Sequence, residues 1–296
     1  MHQPGFGVRW AALPGNLRGA ALMSAAAFLF ALEALFIRWM GERGVPTEVQ
    51  LLARSGGQLL WVAPVILTGG IAVFRTRRAG LHLLRGVASL LTWGLYYLSF
   101  AFLDLATATV LSFTNVMFTT MLAGPVLGER VGAWRWAGTL AGLAGVAIML
   151  RPGASVPPDG ALIAVGAALA WCGITLSSRS LTRTESTRTV LAWVGIVTFL
   201  GVLPFGVAAW VPIGPVDGLI LVVFALFTPG IIWLVTEALR AGEASAVAPF
   251  QYLRLVVVAL AGWAIWGQVP DGTAMLGGAV ILAGALVVTV AEARRR

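Results

Sequence analysis

Long apolar runs, separated by short breaks rich in glycine, proline or charge, dominate the chain. A bilayer-spanning α-helix needs about 20 apolar residues. Dividing the runs at these breaks predicts ten transmembrane helices in an all-α integral membrane protein. The predicted helices are Gly19–Met40, Val49–Phe74, Leu81–Leu103, Thr107–Leu127, Trp134–Leu150, Gly160–Ser178, Thr189–Trp210, Gly218–Leu239, Ala244–Trp266 and Thr273–Ala291.

The two halves of the chain resemble each other. The stretch beginning at Gly19 is similar to the one beginning at Gly160, and Arg38 then aligns with Arg179. We therefore predict two five-helix repeats, residues 19–150 and 160–291, flanked by an N-terminal tail (1–18) and a basic C-terminal tail (292–296). An odd number of spans per repeat inverts the second repeat in the membrane, which is a common design of secondary transporters with a midplane substrate site.

Arginine placement predicts the orientation, because positively charged short loops stay in the cytoplasm. All 20 basic residues are arginines. With the N-terminus inside, fifteen fall in inner segments, whereas the outer segments hold only Arg38, Arg43 and Arg151. Arg54 and Arg254 lie within predicted helices. We therefore predict cytoplasmic N- and C-termini in a multi-pass protein of a bacterial-type inner (plasma) membrane.

Composition narrows the function further. Of 296 residues, 59% are apolar and 11% are charged, whereas a soluble domain has about 25% charged residues. The net charge is +8, but the basic residues are scattered in small clusters between apolar runs, which argues against nucleic-acid binding. The single cysteine, Cys172, excludes an intramolecular disulfide and a cysteine-based metal site. We expect no cofactor and no metal; the expected partners are a small-molecule substrate and the lipid bilayer, with the protein a monomer or homodimer.

Several motifs resemble the EamA-type, ten-helix proteins of the drug/metabolite transporter (DMT) superfamily. They are Ala106–Asn115, Gly124–Val131 and Trp136–Gly145, with a looser second copy in Ala244–Phe250 and Gly277–Gly284. The resemblance extends from about Leu17 to Ala291 and implies the fold. Within the family, the first-half motifs are similar to those of the branch of amino-acid, purine-metabolite and S-adenosylmethionine carriers. This chain departs from the family pattern at Asn115, where proline is usual, and at Gln268, where glutamate is usual.

Two ionisable residues lie at a similar depth near the predicted outer side. Glu33 and Arg54 each lie about 8 to 10 Å below the outer interface, at 1.5 Å per residue. They either form a structural ion pair or act as a gate or proton-coupling site. Ionisable groups within a membrane are costly to bury, and for this reason they are treated as candidate functional residues. Tyr96 and Tyr97 lie at the same depth in the third helix and are candidate substrate-binding residues.

Arg254 lies near the bilayer centre in the ninth helix, where snorkelling is difficult. It must face the bundle interior or a wet cavity, as a substrate or gating residue or with a static structural partner. Gln251 shares its helix face at i, i+3 spacing, and Tyr252 is adjacent. Pro249 removes a helical hydrogen bond nearby, which favours exposed carbonyls or a hinge.

Three further residues complete the candidate site. Thr114 and Asn115 occupy the equivalent place in the first half and are suited either to a substrate or to helix-to-helix hydrogen bonds. Trp171 aligns with Phe30 and either stacks on a substrate or packs in the core.

These features favour a secondary transporter that moves a small amphipathic or zwitterionic metabolite, an amino acid or related compound, by alternating access. The alternative of the same fold is a carrier or exchanger of S-adenosylmethionine or a nucleoside-like metabolite. A membrane-embedded enzyme is disfavoured, because the two histidines, His2 and His82, form no HExxH or paired-carboxylate motif. Without a Walker motif, the chain cannot use ATP directly.

Overall fold

The computed structural model describes residues 13–103, 105–128, 131–150 and 157–267, and scattered positions from 272 to 287. Most of the predicted N-terminal tail, the whole predicted C-terminal tail and much of the predicted tenth helix lie outside the described residues. Throughout the described ranges, the regular secondary structure is helical.

The helices follow the predicted apolar runs. In chain order they are α1 (Gly15–Glu42), α2 (Thr47–Gly69), α3 (Ala79–Ser99), α4 (Leu105–Ser112), α5 (Thr114–Leu127), α6 (Ala133–Leu150), α7 (Pro158–Leu181), α8 (Thr187–Ala208), α9 (Pro215–Ala241), α10 (Ala244–Val247) and α11 (Leu253–Trp266).

Local sequence signals explain several helix boundaries. Pro158 and Pro215 occupy the first turns of α7 and α9, where a missing N–H costs nothing. The Ser186 side chain caps α8 by accepting a hydrogen bond from the Thr189 amide at 3.1 Å. Gly128 and Gly267 end α5 and α11 with φ of 69° and 64°, a left-handed conformation that glycine adopts without strain.

Two predicted spans are interrupted. The fourth is divided at Phe113 into α4 and α5, and the ninth consists of α10, a 3₁₀ segment over Ala248–Tyr252, and α11. Proline at position 249 explains the second interruption, since it cannot donate the helical hydrogen bond. Two other predicted ends differ as well: α3 ends at Ser99 rather than Leu103, and the chain after Gly69 continues as a 3₁₀ turn to Phe74.

The connections define two ends of the bundle. The α1–α2 connection lies at the predicted outer end, and the α2–α3 connection lies at the predicted inner end. At the outer end, the Arg43 guanidinium is 2.5 Å from the Asp217 carboxylate at the start of α9. At the inner end, Arg179 of α7 donates to the Leu239 carbonyl of α9 at 2.7 Å.

The helices pack closely inside and present apolar side chains outside. A Cβ added to Gly57 of α2 would lie 1.7 Å from the Ala225 carbonyl oxygen of α9, so these helices touch through backbone. Among the described residues, six helices are long and apolar enough to span a membrane. Leu67, Leu162 and Leu219 are among many exposed large apolar side chains. The described part of the chain is therefore all-helical, with the long apolar helices of a multi-pass membrane protein.

Candidate functional site

A buried ion pair links α1, α2 and α3. The Arg54 Nε donates to the Glu33 Oε1 at 2.7 Å, and their side chains are only 7% and 1% exposed. The Tyr97 hydroxyl donates to the same carboxylate oxygen at 3.1 Å. Glu33 and Arg54, which the sequence places at a similar depth, are therefore in contact, and Tyr97 of α3 is hydrogen-bonded to the same carboxylate.

Five aromatic side chains pack against one another and adjoin this ion pair through Trp93 and Tyr97. We call them the central aromatic cluster: Phe30, Trp93, Tyr96, Tyr97 and Trp171. The ring centroids of Trp93 and Trp171 are 5.3 Å apart, and Phe30 lies 5.5 Å from Trp93 and 5.2 Å from Trp171. Centroid separations of 4.5–7 Å are typical of favourable aromatic pairs. The cluster joins α1, α3 and α7 at the centre of the bundle.

Arg54 and Arg254, the two arginines singled out in the sequence, contact this cluster. The Arg54 guanidinium lies 3.8 Å from the Trp93 ring centroid. The Arg254 guanidinium lies 4.7 Å from the Tyr96 ring centroid and 5.9 Å from that of Trp171, and it donates to the Tyr96 hydroxyl. Cations over aromatic faces are attracted by the negative face of the ring. Arg254, on α11, thereby brings the second half of the chain to the same site.

Thr109 holds the Tyr96 hydroxyl from the other side. The two hydroxyl oxygens are 3.0 Å apart, and both side chains are buried. Thr109 belongs to α4, the short helix before the interruption at Phe113. The broken fourth span therefore contributes to the site through a residue that the sequence analysis did not single out.

Several buried polar atoms at this site have no hydrogen-bond partner among the described residues: Glu33 Oε2, Arg54 Nη2, Trp93 Nε1 and Arg254 Nε. Asn115 Oδ1, on α5, is likewise buried and unpartnered among the described residues. A buried polar group without a partner costs free energy, so such atoms usually bind something. Both donors and acceptors are present, which suits a ligand that carries both kinds of group.

The remaining predicted site residues are placed differently. Thr114 donates its hydroxyl to the Leu111 carbonyl at 2.8 Å, within its own helical turn. Gln251 is buried in the 3₁₀ segment. Tyr252 packs against Phe113, with ring centroids 5.0 Å apart, and belongs to a separate apolar cluster near α6. Thus Arg254, Tyr96, Tyr97, Trp171, Glu33 and Arg54 come together, whereas Tyr252 lies apart from them.

A second polar cluster lies nearer the predicted inner end, on the same face of α3. Arg85 is fully buried and donates to the Ser178 hydroxyl of α7 at 2.5 Å and to Ser89. His82, one turn earlier, stacks on Trp193 with centroids 5.5 Å apart. In the sequence, Arg85 counts among the fifteen arginines of the inner segments, whose charges orient the chain. The i, i+4, i+7 pattern of Arg85, Ser89 and Thr92 was the signal for a polar helix face.

The two ends of the bundle differ in access. A cavity of about 600 Å³, the outer vestibule, opens between the outer ends of α1 and α2 and reaches Tyr97; it is lined also by Ile37, Gly41, Pro46 and Gln50. Its volume lies within the range of about 300–1,000 Å³ of ligand pockets.

Contacts between helices close the inner end. Arg78 donates to the Ser180 carbonyl at 2.8 Å, and Thr76 donates to Glu185 at 2.6 Å. A Cβ on Gly19 would lie 2.9 Å from the Ala238 carbonyl oxygen, so α1 and α9 are also in close contact here. In this conformation the central aromatic cluster is approached from the vestibule.

Within the described ranges, no group of three or more histidine, cysteine, aspartate or glutamate residues gathers in a metal-binding arrangement. Among the described residues, the site consists of aromatic faces, guanidinium groups, hydroxyls and one buried carboxylate, Glu33.

Several named transporters are similar to this chain in sequence. A riboflavin transporter of Rhizobium johnstonii is 32% identical over 280 residues, which cover 94% of this chain and 92% of that protein. A riboflavin transporter of Vibrio cholerae is 29% identical, covering 94% and 95%. An S-adenosylmethionine uptake transporter of Rickettsia bellii is 31% identical over 77% of this chain and 79% of that protein.

A solved crystal structure matches the fold with a TM-score of 0.72 at 21% identity, covering 92% of this chain and 98% of its own. Residues 17–151 and 159–290 each match the description "EamA-like transporter family". Together with the relatives, which are named as transporters rather than enzymes, these matches show that the chain is a metabolite transporter of the EamA-like transporter family.

Proposed function

We propose that this protein carries a small metabolite with a planar aromatic ring and a polar tail, with riboflavin as the first candidate. The observation that carries the proposal is the central aromatic cluster, whose rings contact the guanidinium groups of Arg54 and Arg254. A planar ring stacks favourably on tryptophan and tyrosine, and aromatic pairs contribute about 0.5–1.5 kcal/mol beyond burial of area.

The unpartnered polar atoms support the same substrate class. The riboflavin ring carries carbonyl acceptors and an imide donor, and its ribityl tail carries hydroxyls. Arg54 Nη2, Arg254 Nε and Trp93 Nε1 offer donors, and Glu33 Oε2 offers an acceptor. Two relatives aligned over 94% of this chain are named riboflavin transporters, which supports riboflavin over other planar metabolites.

S-adenosylmethionine is a second candidate, favoured by the buried Glu33 carboxylate beside the central aromatic cluster. Aromatic faces attract a sulfonium as they attract other cations, and an arginine suits its carboxylate. The amino acid expected from the sequence also carries a carboxylate, but a small one covers less of the five-ring cluster.

For the mechanism, we infer alternating access between two inverted five-helix repeats in a bacterial-type inner membrane, with both termini on its cytoplasmic side. The outer vestibule reaches Tyr97, which bonds to Glu33, and this contact supports a role of the Glu33–Arg54 pair as an outer gate. Glu33 is also the candidate for proton coupling. In that role, Glu33→Gln removes the pH dependence of uptake, whereas an unchanged pH profile would contradict it.

Counterflow in proteoliposomes tests the substrate. Vesicles preloaded with unlabelled substrate receive external tracer in three parallel assays: riboflavin, S-adenosylmethionine and an aromatic amino acid. We expect riboflavin tracer to accumulate well above protein-free vesicles, with less accumulation of the other two. Accumulation of S-adenosylmethionine alone would favour the second candidate, and no counterflow of any planar metabolite would refute the proposal.

A further inference from the structure

Arg85 is the feature of the described bundle that this function leaves unexplained. Its side chain is buried between α3 and α7, and its hydrogen-bond partners are the neutral hydroxyls of Ser89 and Ser178. Among the residues that the structure describes, no carboxylate forms an ion pair with it. A charged group in a membrane interior is costly and normally marks a substrate or ion pathway.

Charge is unbalanced in the described interior. Arg54 is neutralised by Glu33 at 2.7 Å, whereas Arg254 donates to the hydroxyl of Tyr96 and Arg85 to serines. Two buried guanidinium groups thus lack a carboxylate partner in the described part of the chain. Because an uncompensated buried charge is strongly destabilising, an anionic ligand would relieve a cost that the protein alone leaves in place.

The position of Arg85 connects it to the central aromatic cluster. Its bond to Ser89, one turn nearer to Trp93, brings the guanidinium to the level of Ser89. Trp93 lies four residues after Ser89 on α3, which is about 6 Å along the helix axis. Thr92 lies between them, buried, with a hydroxyl that has no partner in the described structure. On α7, Trp171, Thr175 and Ser178 form a matching face.

We propose that Arg85 is an anion-binding site on the inner half of the transport path, so that of two ligands with the same aromatic ring the protein prefers the one whose polar tail carries a carboxylate or phosphate. This inference rests on the proposed function for the aromatic part of the substrate. The guanidinium fork binds two oxygens of such a group at once, with stronger bonds than serine hydroxyls provide. The bonds to Ser89 and Ser178 compete with the anion, which displaces them when it binds.

A matched pair of ligands isolates the anionic group. Riboflavin and riboflavin 5′-phosphate share the ring and the ribityl tail and differ by the phosphate. Their dissociation constants are measured by isothermal titration with the purified wild-type protein, Arg85→Gln and Arg77→Gln. Arg77 is an exposed arginine just before α3, so its variant removes the same charge at the same end of the bundle.

We expect the wild type to bind the phosphate at least about tenfold more tightly than riboflavin, since bonds to charged groups contribute about 1.5–3 kcal/mol. Arg85→Gln should abolish this preference and leave riboflavin affinity nearly unchanged, and Arg77→Gln should retain it. Equal affinities in the wild type, or equal weakening of both ligands in Arg85→Gln, would overturn the proposal.

Two further measurements keep the inference independent of folding and of the flavin. If Arg85→Gln does not fold, Ser178→Ala is used, because it removes a hydrogen-bond partner of the guanidinium. This variant should increase the preference for riboflavin 5′-phosphate over riboflavin. An unchanged preference overturns the proposal. If neither flavin binds the wild type, the proposed function fails, and inorganic phosphate is used instead. Thermal stabilisation of the wild type but not of an Arg85 variant then supports the anion site, and no stabilisation overturns it.

Discussion

The buried Glu33–Arg54 pair allows a quantitative prediction from a double-mutant cycle. The variants are Glu33→Gln, Arg54→Gln and the double substitution. Each single variant leaves one charge buried without its partner, because the side chains are 1% and 7% exposed and the bonding atoms are 2.7 Å apart. Breaking a buried ion pair in this way costs about 3–5 kcal/mol.

The double variant leaves no unpaired charge, so its loss of stability should be smaller than the sum of the two single losses by about 2–3 kcal/mol. Stability is measured as the free energy of unfolding, by titrating the purified protein in mixed micelles with sodium dodecyl sulfate and following circular dichroism. Additivity of the two single effects within about 0.5 kcal/mol would refute the reasoning.

The exposed pair Arg43–Asp217 provides the control. It also joins two helices, at 2.5 Å, but its side chains are 42% and 19% exposed. Water screens such pairs, which contribute about 0.2–1 kcal/mol. The same cycle with Arg43→Gln and Asp217→Asn should therefore give a coupling energy well below that of the buried pair.

Three further predictions concern the site and the packing. Arg254→Gln should weaken substrate binding about tenfold or more, as expected for lost bonds from a charged donor; an unchanged binding isotherm would contradict the role of this arginine. Trp171→Leu should raise the KM for uptake about two- to tenfold through lost stacking, and an unchanged KM would favour a packing role. Gly57→Ala should abolish the monodisperse peak in size-exclusion chromatography because its Cβ would lie 1.7 Å from the Ala225 carbonyl oxygen, whereas Gly94→Ala, which meets nothing within 4 Å, should behave as wild type.

Much of the fold was predictable because a bilayer imposes a simple requirement on sequence. Backbone groups must be satisfied within each helix, so apolar runs map directly onto helices, as α1, α7 and α9 show. The breaks were harder to predict. Proline at position 249 signals the 3₁₀ segment, but Phe113, where α4 meets α5, has no comparable mark.

The candidate site was predictable where a charge stands in an apolar run. Glu33, Arg54 and Arg254 were found this way, because ionisable groups are conspicuous in such surroundings. Arg85 was not, since it lies close enough to a predicted helix end to be read as an orienting charge. Tyr252 was assigned to the site by its neighbour, although adjacent residues on a helix face different directions.

The inverted-repeat topology, the orientation of the termini and the transport mechanism stay predictions. Two observations accord with the repeat: the fourth and ninth predicted spans are both interrupted, and Gly128 and Gly267 end the following helices with the same left-handed conformation.

The central claim is that substrate binds at the central aromatic cluster, and flavin fluorescence tests it most directly, because stacking on tryptophan quenches the excited ring. We predict that riboflavin fluorescence is quenched on titration with the purified wild-type protein. The quenching should be largely lost in Trp93→Leu/Trp171→Leu, provided that its helical content by circular dichroism matches the wild type. Undiminished quenching in this folded variant, or none in the wild type, would contradict the account.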